Sequence, residues 1–473
     1  MSGGRRAVSG RSAAPLRLLK KLPRDGRRAA LHALLLTDAG LSAQEALSAA
    51  LDGDRRPGSS ERETALPPQE RHLCSELVYG VLRAEIRIAY LLSRVLPRPD
   101  RLPSLLLHIL ELAVYALLFQ ERVPDHAAVH GAVEQAQRLF GPSLARVANG
   151  ALRSIQRFGA AVGRPEFYGE SAGSAACDAW DGLCRYYGLP RRIADIWLAA
   201  YGEENARLLM RRSSLRPWTG LRINARHAFA SALRAALLAL AEKECGQAVG
   251  LWGVAFAPGA LPAEALGRSL EQWRRSGALS FQSAASQLAL EELGLSRWQG
   301  KIWDACAGFG GKSAVLLERG ADVALSTDRS WSRLRHLPNM CRQLRLPVPA
   351  VCLTDAARPP LSGWNGHILL DAPCSGLGVL ARRPDIRKRF GSAPADLAQL
   401  VHLQRGLLNS LGGLLQPGRE LAYITCTLNP AENEQAVARL LRARPELTLL
   451  RQWQTPHAHP WLEGMYGAVL RRV

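Results

Sequence analysis

The sequence lacks the patterns that mark several classes of protein. No two of its nine cysteines have CxxC spacing, and their number is odd, so neither a zinc site nor a disulfide framework is predicted. The most apolar stretch, residues 102–120, contains His108 and Glu111 and is too polar for a membrane span. No continuous apolar core of the kind found in a secretory signal follows the N-terminus. We therefore expect a cytoplasmic protein with reduced thiols and no metal.

Acidic residues are also in short supply. The chain has 61 Lys and Arg against 41 Asp and Glu, which gives a net charge of +20 and a pI of about 10.2. Such an excess favours a polyanionic partner, either nucleic acid or an anionic membrane surface. Since 473 residues are too many for one ordinary hydrophobic core, we predict two or three domains.

The first third of the chain is predicted to be helical. Residues 1–28 hold nine basic residues and one acidic residue, and we interpret residues 1–26 as a flexible basic arm. Across residues 27–158 apolar residues recur at helical spacing, as at Leu31 and Leu34, and turn-rich joints separate the helices. This pattern predicts a compact helical bundle.

The composition changes twice more along the chain. Residues 159–176 are rich in Gly, Ala, Ser and Pro and are predicted to be a linker. Residues 177–273 mix helical stretches with a strand at 220–224, which predicts a small accessory domain. From residue 274 to 473, short apolar runs alternate with helices, and this alternation is typical of a doubly wound α/β sheet.

Five predicted strands of this last domain each end in a polar or reactive residue. The strands are predicted at residues 301–304, 323–328, 350–355, 367–371 and 421–426. Their last residues are Asp304, Asp328, Asp355, Asp371 and Cys426. One such residue is more often a helix cap than a ligand contact, but ligands of open parallel sheets bind beyond the carboxyl ends of the strands. Five together predict a binding crevice.

A glycine-rich turn follows the first of these strands, at residues 304–313. A phosphate-binding P-loop would need glycine at Cys306, and a dinucleotide fingerprint would need a third glycine at Ser313. Both motifs fail at those positions. The turn therefore suits a nucleoside-like ligand, with Asp328 ending the next strand near ribose hydroxyls. S-adenosylmethionine fits, because it has a ribose and no phosphate.

Two cysteines follow neighbouring predicted strands. Cys374 lies in the sequence 371–376, next to Asp371, and Cys426 ends the fifth strand. Methylation of carbon 5 of cytosine needs a thiolate that adds to carbon 6, an acidic group near the ring's polar edge, and help in product release. These residues could supply all three. Two buried thiols acting as small apolar side chains are the alternative, and the residues alone leave both interpretations open.

From about residue 281 onward the chain resembles the bacterial RNA 5-methylcytosine methyltransferases. Pro373-Cys374 and Thr425-Cys426 match that family's paired signature. The resemblance implies that Cys426 is the nucleophile, that Cys374 assists product release and that Asp371 holds the cytosine edge. It implies a cofactor site for S-adenosylmethionine formed by Cys306, Ala307, Gly308, Phe309, Gly310, Gly311, Lys312, Asp328, Asp355 and Asp371.

The N-terminal part adds a second resemblance. Residues 75–83, 124–129 and 148–153 are similar to a NusB-like RNA-binding helical domain. This domain ahead of the catalytic domain resembles the 16S rRNA cytosine-5 methyltransferases of the Sun/Fmu type, over nearly the whole chain except residues 1–26 and the linker. The resemblance implies a multidomain fold with an all-α NusB-like bundle, a small mixed middle domain and a Rossmann-like α/β methyltransferase domain. It implies RNA rather than a membrane as the partner, and we expect a monomer.

The sequence departs from the family in the turn, where Phe309 replaces a usual proline, and at Ser283, where aspartate is frequent. Because of these departures, a catalytically weakened RNA-binding protein is an alternative interpretation. A tRNA methyltransferase with the same chemistry is another. Basic residues after the Cys374 loop are predicted to contact RNA phosphates, although a solvated helix face would have the same composition. They are Arg382, Arg383, Arg387, Lys388 and Arg389.

Overall fold

The computed structural model describes residues 13–52, 66–169, 178–392 and 395–473. The chain forms two compact units. Unit 1 consists of Met1–Asp195 and Arg382–Ser392, and unit 2 consists of Ile196–Ala381 and Ala393–Val473. Among the described residues, no helix is long and apolar enough to cross a membrane. No cluster of three or more His, Cys, Asp or Glu in those residues is placed to hold a metal ion.

Unit 1 is helical, and apolar side chains at helical spacing form its single core, as predicted. Asp25 caps one helix by accepting a hydrogen bond from the backbone N–H of Arg28 at 2.8 Å. Its helices are α1 (Ala13–Leu19), α2 (Gly26–Asp38), α3 (Ala43–Asp52), α4 (Pro68–Val95), α5 (Ser104–Phe119), α6 (Asp125–Phe140), α7 (Pro142–Arg157), α8 (Ala179–Tyr186), the start of α9 (Arg191–Ser214) and α16 (Ile386–Ser392). Short 3₁₀ turns lie at Pro99–Arg101, Gly159–Gly163 and Pro165–Tyr168.

The structure differs from the predicted basic arm. Residues 1–12 lie outside the described residues, but α1 begins at Ala13, and Leu19 and Leu22 are buried in the core of unit 1. The number of basic residues suggested a flexible arm, but the leucines between them pack into the hydrophobic core of unit 1. The prediction of a flexible arm is therefore wrong from residue 13 onward.

The predicted linker is also structured over its first half. The two 3₁₀ turns of residues 159–168 end at Tyr168, whose side chain is fully buried. The Tyr168 hydroxyl accepts a hydrogen bond from Arg87 Nε at 2.9 Å and donates one to the carbonyl oxygen of Val162 at 2.9 Å. The small residues in this stretch thus form tight turns, which place the side chain of Tyr168 in the core. Residues 170–176 of the predicted linker lie outside the described residues.

Unit 2 contains a small antiparallel sheet with strand order β2-β3-β1-β6. Its strands are β1 (Thr219–Ile223), β2 (Gly246–Val249), β3 (Gly253–Phe256) and β6 (Leu279–Phe281), with a hairpin of β4 (Glu264–Ala265) and β5 (Arg268–Ser269). Helices α10 (Ala230–Lys243) and α11 (Leu270–Arg275) belong to the same domain. Since β6 pairs with β1 through Leu221 and Phe281, this middle sheet extends beyond the boundary predicted at residue 273.

A larger sheet of seven strands, in the order β12-β13-β11-β10-β7-β8-β9, forms the rest of unit 2. The strands are β7 (Lys301–Asp304), β8 (Asp322–Asp328), β9 (Ala350–Leu353), β10 (His367–Asp371), β11 (Glu420–Thr425), β12 (Leu447–Gln454) and β13 (Tyr466–Arg472). The helices are α12 (Ala284–Glu292), α13 (Gly311–Glu318), α14 (Trp331–Leu334), α15 (Leu337–Leu344), α17 (Ala395–Leu414) and α18 (Glu434–Ala443), with a 3₁₀ turn at Leu295–Arg297.

The five predicted strands are β7 to β11, and they run parallel. Alternate residues of these strands face opposite layers of helices, because successive side chains of a strand point to opposite faces. Ile302 and Leu369 pack with α12, α13 and α15, whereas Trp303 and Leu370 pack with α17 and α18. The prediction of a doubly wound α/β domain is confirmed. Strands β12 and β13, which extend one edge in antiparallel fashion, were not predicted.

Candidate active site

The carboxyl ends of the parallel strands bring the predicted site residues to one edge of the large sheet. Asp328 and Asp371 are the last residues of β8 and β10, and Cys426 follows β11 directly. Asp371 pairs with Ile424, so Cys426 lies two residues beyond the strand partner of Asp371. Asp355 follows β9 after a gap of one residue and is partly exposed. Four of the five predicted strand ends thus present a functional group at this edge.

Asp304 is the exception. It is the last residue of β7, but it is completely buried and accepts a hydrogen bond from Ser313 Oγ at 2.6 Å. Burial raises the pKa of Asp304 to about 7, because a charged carboxylate loses its hydration there. Asp304 therefore lies beneath the glycine-rich turn and stabilises it, whereas the sequence predicted that it would face the ligand.

The glycine-rich turn between β7 and α13 needs two glycines for its shape. Gly308 and Gly310 have φ angles of +57° and +86°, a region that L side chains rarely adopt. A β-carbon on Gly310 would come within 1.8 Å of Leu337 Cδ1. The backbone N–H of Gly308 donates to Asp328 Oδ2 at 2.9 Å, which ties the turn to the end of β8. The turn therefore brings bare backbone close to a strand-end carboxylate.

The turn and the nearby acids have the features that a nucleoside ligand requires. Carboxylates at Asp328 and Asp355 can accept hydrogen bonds from ribose hydroxyls, and no P-loop pattern is present to cradle a phosphate. Phe309 is 53% exposed and packs against His336 with ring centroids 5.6 Å apart. The thiol of Cys306 is mostly buried, and burial raises its pKa. Burial thus favours the neutral thiol at Cys306.

The two signature cysteines lie side by side. The Sγ atoms of Cys374 and Cys426 are 3.3 Å apart, and the backbone N–H of Cys426 points to Cys374 Sγ at 3.3 Å. The N–H of Gly378 donates to the carbonyl oxygen of Cys426 at 3.0 Å, which closes the Cys374 loop against the end of β11. All eight cysteines within the described residues are free thiols. The predicted pairing in space of these two residues is therefore present.

The two thiols differ in their tendency to ionise. The hydrogen bond to Cys426, together with burial, raises the pKa of Cys374 well above its ordinary value. The same hydrogen bond lowers the pKa of Cys426, with help from the positive charge of Lys312 and against the effect of burial. These opposite directions favour Cys374 as the sulfur that stays protonated and Cys426 as the sulfur that ionises first. A stabilised thiolate is what nucleophilic attack requires.

Lys312 connects the glycine-rich turn to this pair. It is the second residue of α13, and its Nζ donates to Asp371 Oδ2 at 2.5 Å. Burial opposes the ammonium charge, but the Asp371 carboxylate outweighs burial and raises the pKa of Lys312. The sequence assigned Lys312 to the cofactor segment, and its ammonium also contacts Asp371, which is predicted to hold the cytosine edge.

A buried carboxylate that the sequence did not single out holds both cysteine loops. Glu432 is fully buried and accepts hydrogen bonds from the backbone N–H of Ser375 at 2.8 Å and from its hydroxyl at 2.5 Å. It also accepts hydrogen bonds from Thr427 Oγ1 at 3.2 Å, Asn429 Nδ2 at 3.1 Å and Gln404 Nε2 at 3.0 Å. The sequence feature that could have identified Glu432 is its position six residues after Cys426, in a stretch that contains several Asn residues.

The basic residues predicted to contact RNA lie in unit 1, and two of them are engaged within the protein. Arg387 is buried, and its Nη1 donates to the carbonyl oxygens of Arg83, Tyr187 and Gly188. The Nζ of Lys388 pairs with Asp38 at 2.8 Å and with Glu85 at 3.1 Å. The prediction of a phosphate contact is therefore wrong for Arg387, which is buried, whereas for the partly exposed Lys388 it stays a prediction.

The other three basic residues of this segment are more accessible. Arg383 pairs with Asp385 at 3.1 Å and is partly exposed. Arg382 is partly exposed, and Arg389 is exposed beside the ring of Phe390. Their predicted contact with RNA stays a prediction.

Two protein-family models match the chain. The model described as 16S rRNA methyltransferase RsmB/F matches residues 295–463, and the NusB family model matches residues 24–157. The first spans strands β7 to β12 of the large sheet, and the second spans helices α2 to α7 of unit 1.

Curated proteins match over a greater length. The ribosomal RNA small subunit methyltransferase B of Vibrio cholerae is 33% identical over 94% of this chain and 97% of its own length. The protein of the same name from Pseudomonas putida is 30% identical over 92% of this chain and 98% of its own length.

Solved structures share the fold at lower identity. The crystal structure of PH0851 covers 95% of this chain and 99% of its own with a TM-score of 0.69 and 18% identity. A methyltransferase homologue from Pyrococcus horikoshii covers 62% of this chain and 98% of its own with a TM-score of 0.50 and 20% identity.

Proposed function

This chain belongs to the ribosomal RNA small subunit methyltransferase B family of S-adenosylmethionine-dependent RNA methyltransferases, and from that premise we propose that it methylates carbon 5 of a cytosine in 16S rRNA through a covalent bond to Cys426. The main support is the pair of thiols 3.3 Å apart, beside the carboxylate of Asp371. A methyltransferase that acts on a nitrogen or oxygen atom has no need of a paired thiol and thiolate. Methylation of cytosine carbon 5 requires an attacking thiolate, because this carbon is not a nucleophile by itself.

The Cys426 thiolate opens the reaction by adding to carbon 6 of the cytosine. A carbon–sulfur bond forms, and the ring electrons move to carbon 5, which becomes nucleophilic and accepts the methyl group. A base then takes the carbon 5 proton, the electron pair of that carbon–hydrogen bond re-forms the double bond between carbons 5 and 6, and the carbon–sulfur bond breaks to return the thiolate. Cys374 helps this last step, since its retained proton donates a hydrogen bond to the departing sulfur.

Asp371 and Lys312 act on the polar edge of the base. Lys312 holds one oxygen of the Asp371 carboxylate at 2.5 Å, which leaves the other oxygen to accept from a cytosine N–H. The lysine also places a positive charge near Cys426. We assign Asp371 to orientation of the ring and Lys312 to orientation of Asp371.

The residues around the glycine-rich turn fit the cofactor. S-adenosylmethionine, when bound, supplies an electrophilic methyl group. The bare backbone at Gly308 and Gly310 would lie against it, and Asp328 and Asp355 would hold its ribose hydroxyls. Lys312 and Asp371 stand between this turn and Cys426, so the donor and the base would meet there.

The target cytosine has to leave its stack to reach Cys426, which favours a loop or bulge of the RNA over a continuous duplex. The basic residues Arg382 and Arg383, which are partly exposed, and Arg389, which is exposed, are proposed to contact flanking phosphates. A monomer in the cytoplasm stays our expectation.

The test is a transfer assay with the full chain, unmodified 16S rRNA and methyl-labelled S-adenosylmethionine, followed by nucleoside analysis. We expect 5-methylcytosine at one position. Label on tRNA and none on 16S rRNA would refute the proposed substrate but would leave the proposed covalent mechanism in place. If folded protein labels no RNA, a catalytically weakened RNA-binding protein replaces our proposal, and Phe309→Pro becomes the first reversion to make.

A further inference from the structure

Arg222 on β1 of the middle sheet reaches the helix that follows the glycine-rich turn. The side chain is buried, at 3% exposure. Its Nη2 donates to Glu318 Oε1 at 3.0 Å, and its Nε lies 2.9 Å from Glu318 Oε2. Its Nη1 donates to the carbonyl oxygen of Gly311 at 3.1 Å. One guanidinium thus contacts both the first and the last residue of α13.

The geometry of α13 makes this double contact possible. Gly311 and Glu318 are seven residues apart and so lie on one face of the helix. Side chains of a helix lean towards its N-terminus, and the Glu318 carboxylate is thereby carried back towards Gly311. The Gly311 carbonyl accepts a second hydrogen bond, from Gln282 Nε2 at 3.3 Å, and Gln282 Oε1 accepts from Arg222 Nη1 at 2.8 Å. Gly311, Arg222 and Gln282 therefore form a closed set of hydrogen bonds.

This set lies one residue from the predicted chemistry. Gly311 precedes Lys312, whose ammonium holds Asp371, and it follows Gly310, whose left-handed backbone shapes the turn. A shift of the Gly311 carbonyl would move both neighbours. The middle sheet is thus connected through Arg222 to the turn and to the catalytic acid.

We propose that the middle sheet holds the S-adenosylmethionine turn in its binding conformation through Arg222, which is therefore a positioning residue for the cofactor. The proposal rests on the assignment of residues 306–312 to the cofactor site. It gives the middle domain a role that is distinct from RNA binding. Stability alone does not explain the pair, because a buried ion pair is on average no more stabilising than well-packed apolar residues.

The test uses the double variant Arg222→Met, Glu318→Met in the full chain. It removes both charges together and fills similar volume, so neither charge is left buried alone. It deletes the bond to the Gly311 carbonyl. We expect the Kd for S-adenosylmethionine, measured by calorimetry, to rise about tenfold, the worth of one hydrogen bond from a charged donor. The KM for RNA is expected to stay unchanged.

A matched control removes another ion pair from the same helix end. Arg319 follows α13 and pairs with Glu291 of α12 at 3.2 Å, without contact to Gly311. The double variant Arg319→Met, Glu291→Met loses this less buried pair and the hydrogen bond from the Leu251 N–H to Glu291, and it is expected to bind S-adenosylmethionine as the parent does. Circular dichroism checks that both double variants are folded.

The outcomes separate this proposal from the cofactor site itself. If the parent protein binds no S-adenosylmethionine, the assignment of the site fails. If the parent binds and the Arg222 double variant binds equally well, the positioning role is overturned and the site stands. If that double variant does not fold, Arg222→Lys decides the matter, since lysine keeps a charge opposite Glu318 but cannot reach Gly311 as well. Unchanged affinity in Arg222→Lys then overturns the proposal.

Discussion

The glycine-rich turn and the two cysteine loops lie at the same sheet edge but are held in different ways. The turn takes its shape from backbone conformation, with left-handed glycines at 308 and 310. The cysteine loops take theirs from side chains, above all from the five hydrogen bonds that converge on Glu432.

The difference follows from what each region has to do. A turn that accepts a ligand needs free space beside its backbone, and side chains would fill that space. Two reacting sulfur atoms need a fixed separation, and a network of hydrogen bonds around the buried Glu432 side chain provides it. Substitutions in the turn should therefore affect cofactor affinity, whereas substitutions around Glu432 should affect turnover.

The largest effect should come from the nucleophile. Cys426→Ala removes the atom that activates carbon 5, and we expect methyl transfer to fall by roughly three orders of magnitude or more. Labelled methyl incorporation into RNA measures this. Binding of S-adenosylmethionine should persist, and transfer at a rate near that of the parent would refute the covalent mechanism.

Cys374→Ala should stop turnover at a different stage. The Cys426 thiolate still attacks, but its departure loses the hydrogen bond from the neighbouring thiol. We expect a covalent protein–RNA adduct that survives denaturing electrophoresis. The variant that also carries Cys426→Ala is the control and should form no adduct. An adduct in that control would place the covalent bond on another residue.

Glu432→Gln should slow turnover without a comparable loss of cofactor affinity. Glutamine keeps one acceptor oxygen but presents an amide to donors that faced a carboxylate, so we expect kcat to fall at least roughly tenfold. Steady-state kinetics with titrated S-adenosylmethionine measure kcat and KM separately. Glu434→Gln, two residues further along, is the matched control because Glu434 takes no part in the network around Ser375. Equal effects of the two variants would contradict the role given to Glu432.

Gly310→Ala should weaken the cofactor turn. Alanine at a φ of +86° costs roughly 1–2 kcal/mol, and its β-carbon meets Leu337 Cδ1. We expect about tenfold weaker S-adenosylmethionine binding by calorimetry. Gly320→Ala carries the same backbone cost, at a φ of +87°, with nothing within 4 Å of the new β-carbon. If Gly320→Ala weakens binding as much, general strain and not the shape of the turn is responsible.

The smallest effect concerns ionisation of the nucleophile. The hydrogen bond from Cys374 is the main cause that lowers the pKa of Cys426, so its loss in Cys374→Ala should raise that pKa. Alkylation of Cys426 by iodoacetamide, followed by mass spectrometry across a pH series, should then have its midpoint at higher pH. Cys374→Ser, which keeps a hydroxyl donor, should shift the midpoint less. A midpoint that stays in place would show that Cys374 does not stabilise the thiolate.

The sequence predicted the parts of the site that depend on local pattern. Short apolar runs that end in Asp328, Asp371 or Cys426 mark strands whose ends meet at one edge, because parallel strands share a direction. The position of the glycine-rich turn followed from its glycines for a similar reason. Both features are visible within a few residues of chain.

The features that the sequence did not predict depend on distant partners. In the sequence Arg222 is an ordinary strand residue. Its role becomes visible only in the structure, where it contacts Glu318, 96 positions further along the chain. Arg387 lies in a basic segment that suggests phosphate contacts, but in the structure its guanidinium donates to three carbonyl groups of unit 1. Composition records how many charges a segment has, and only the fold decides which of them face solvent.

The membership of Arg382–Ser392 in unit 1 has a consequence for the order in which the protein is made. Synthesis of residues 1–195 yields the described helices α1 to α8 and the start of α9, yet the carbonyl groups of Arg83, Tyr187 and Gly188 then lack the guanidinium of Arg387. Asp38 and Glu85 likewise lack their ion pairs with Lys388 at that stage. The ribosome must therefore produce most of the catalytic sheet before the first unit is complete, and a fragment that stops at residue 195 lacks a piece of its own interior.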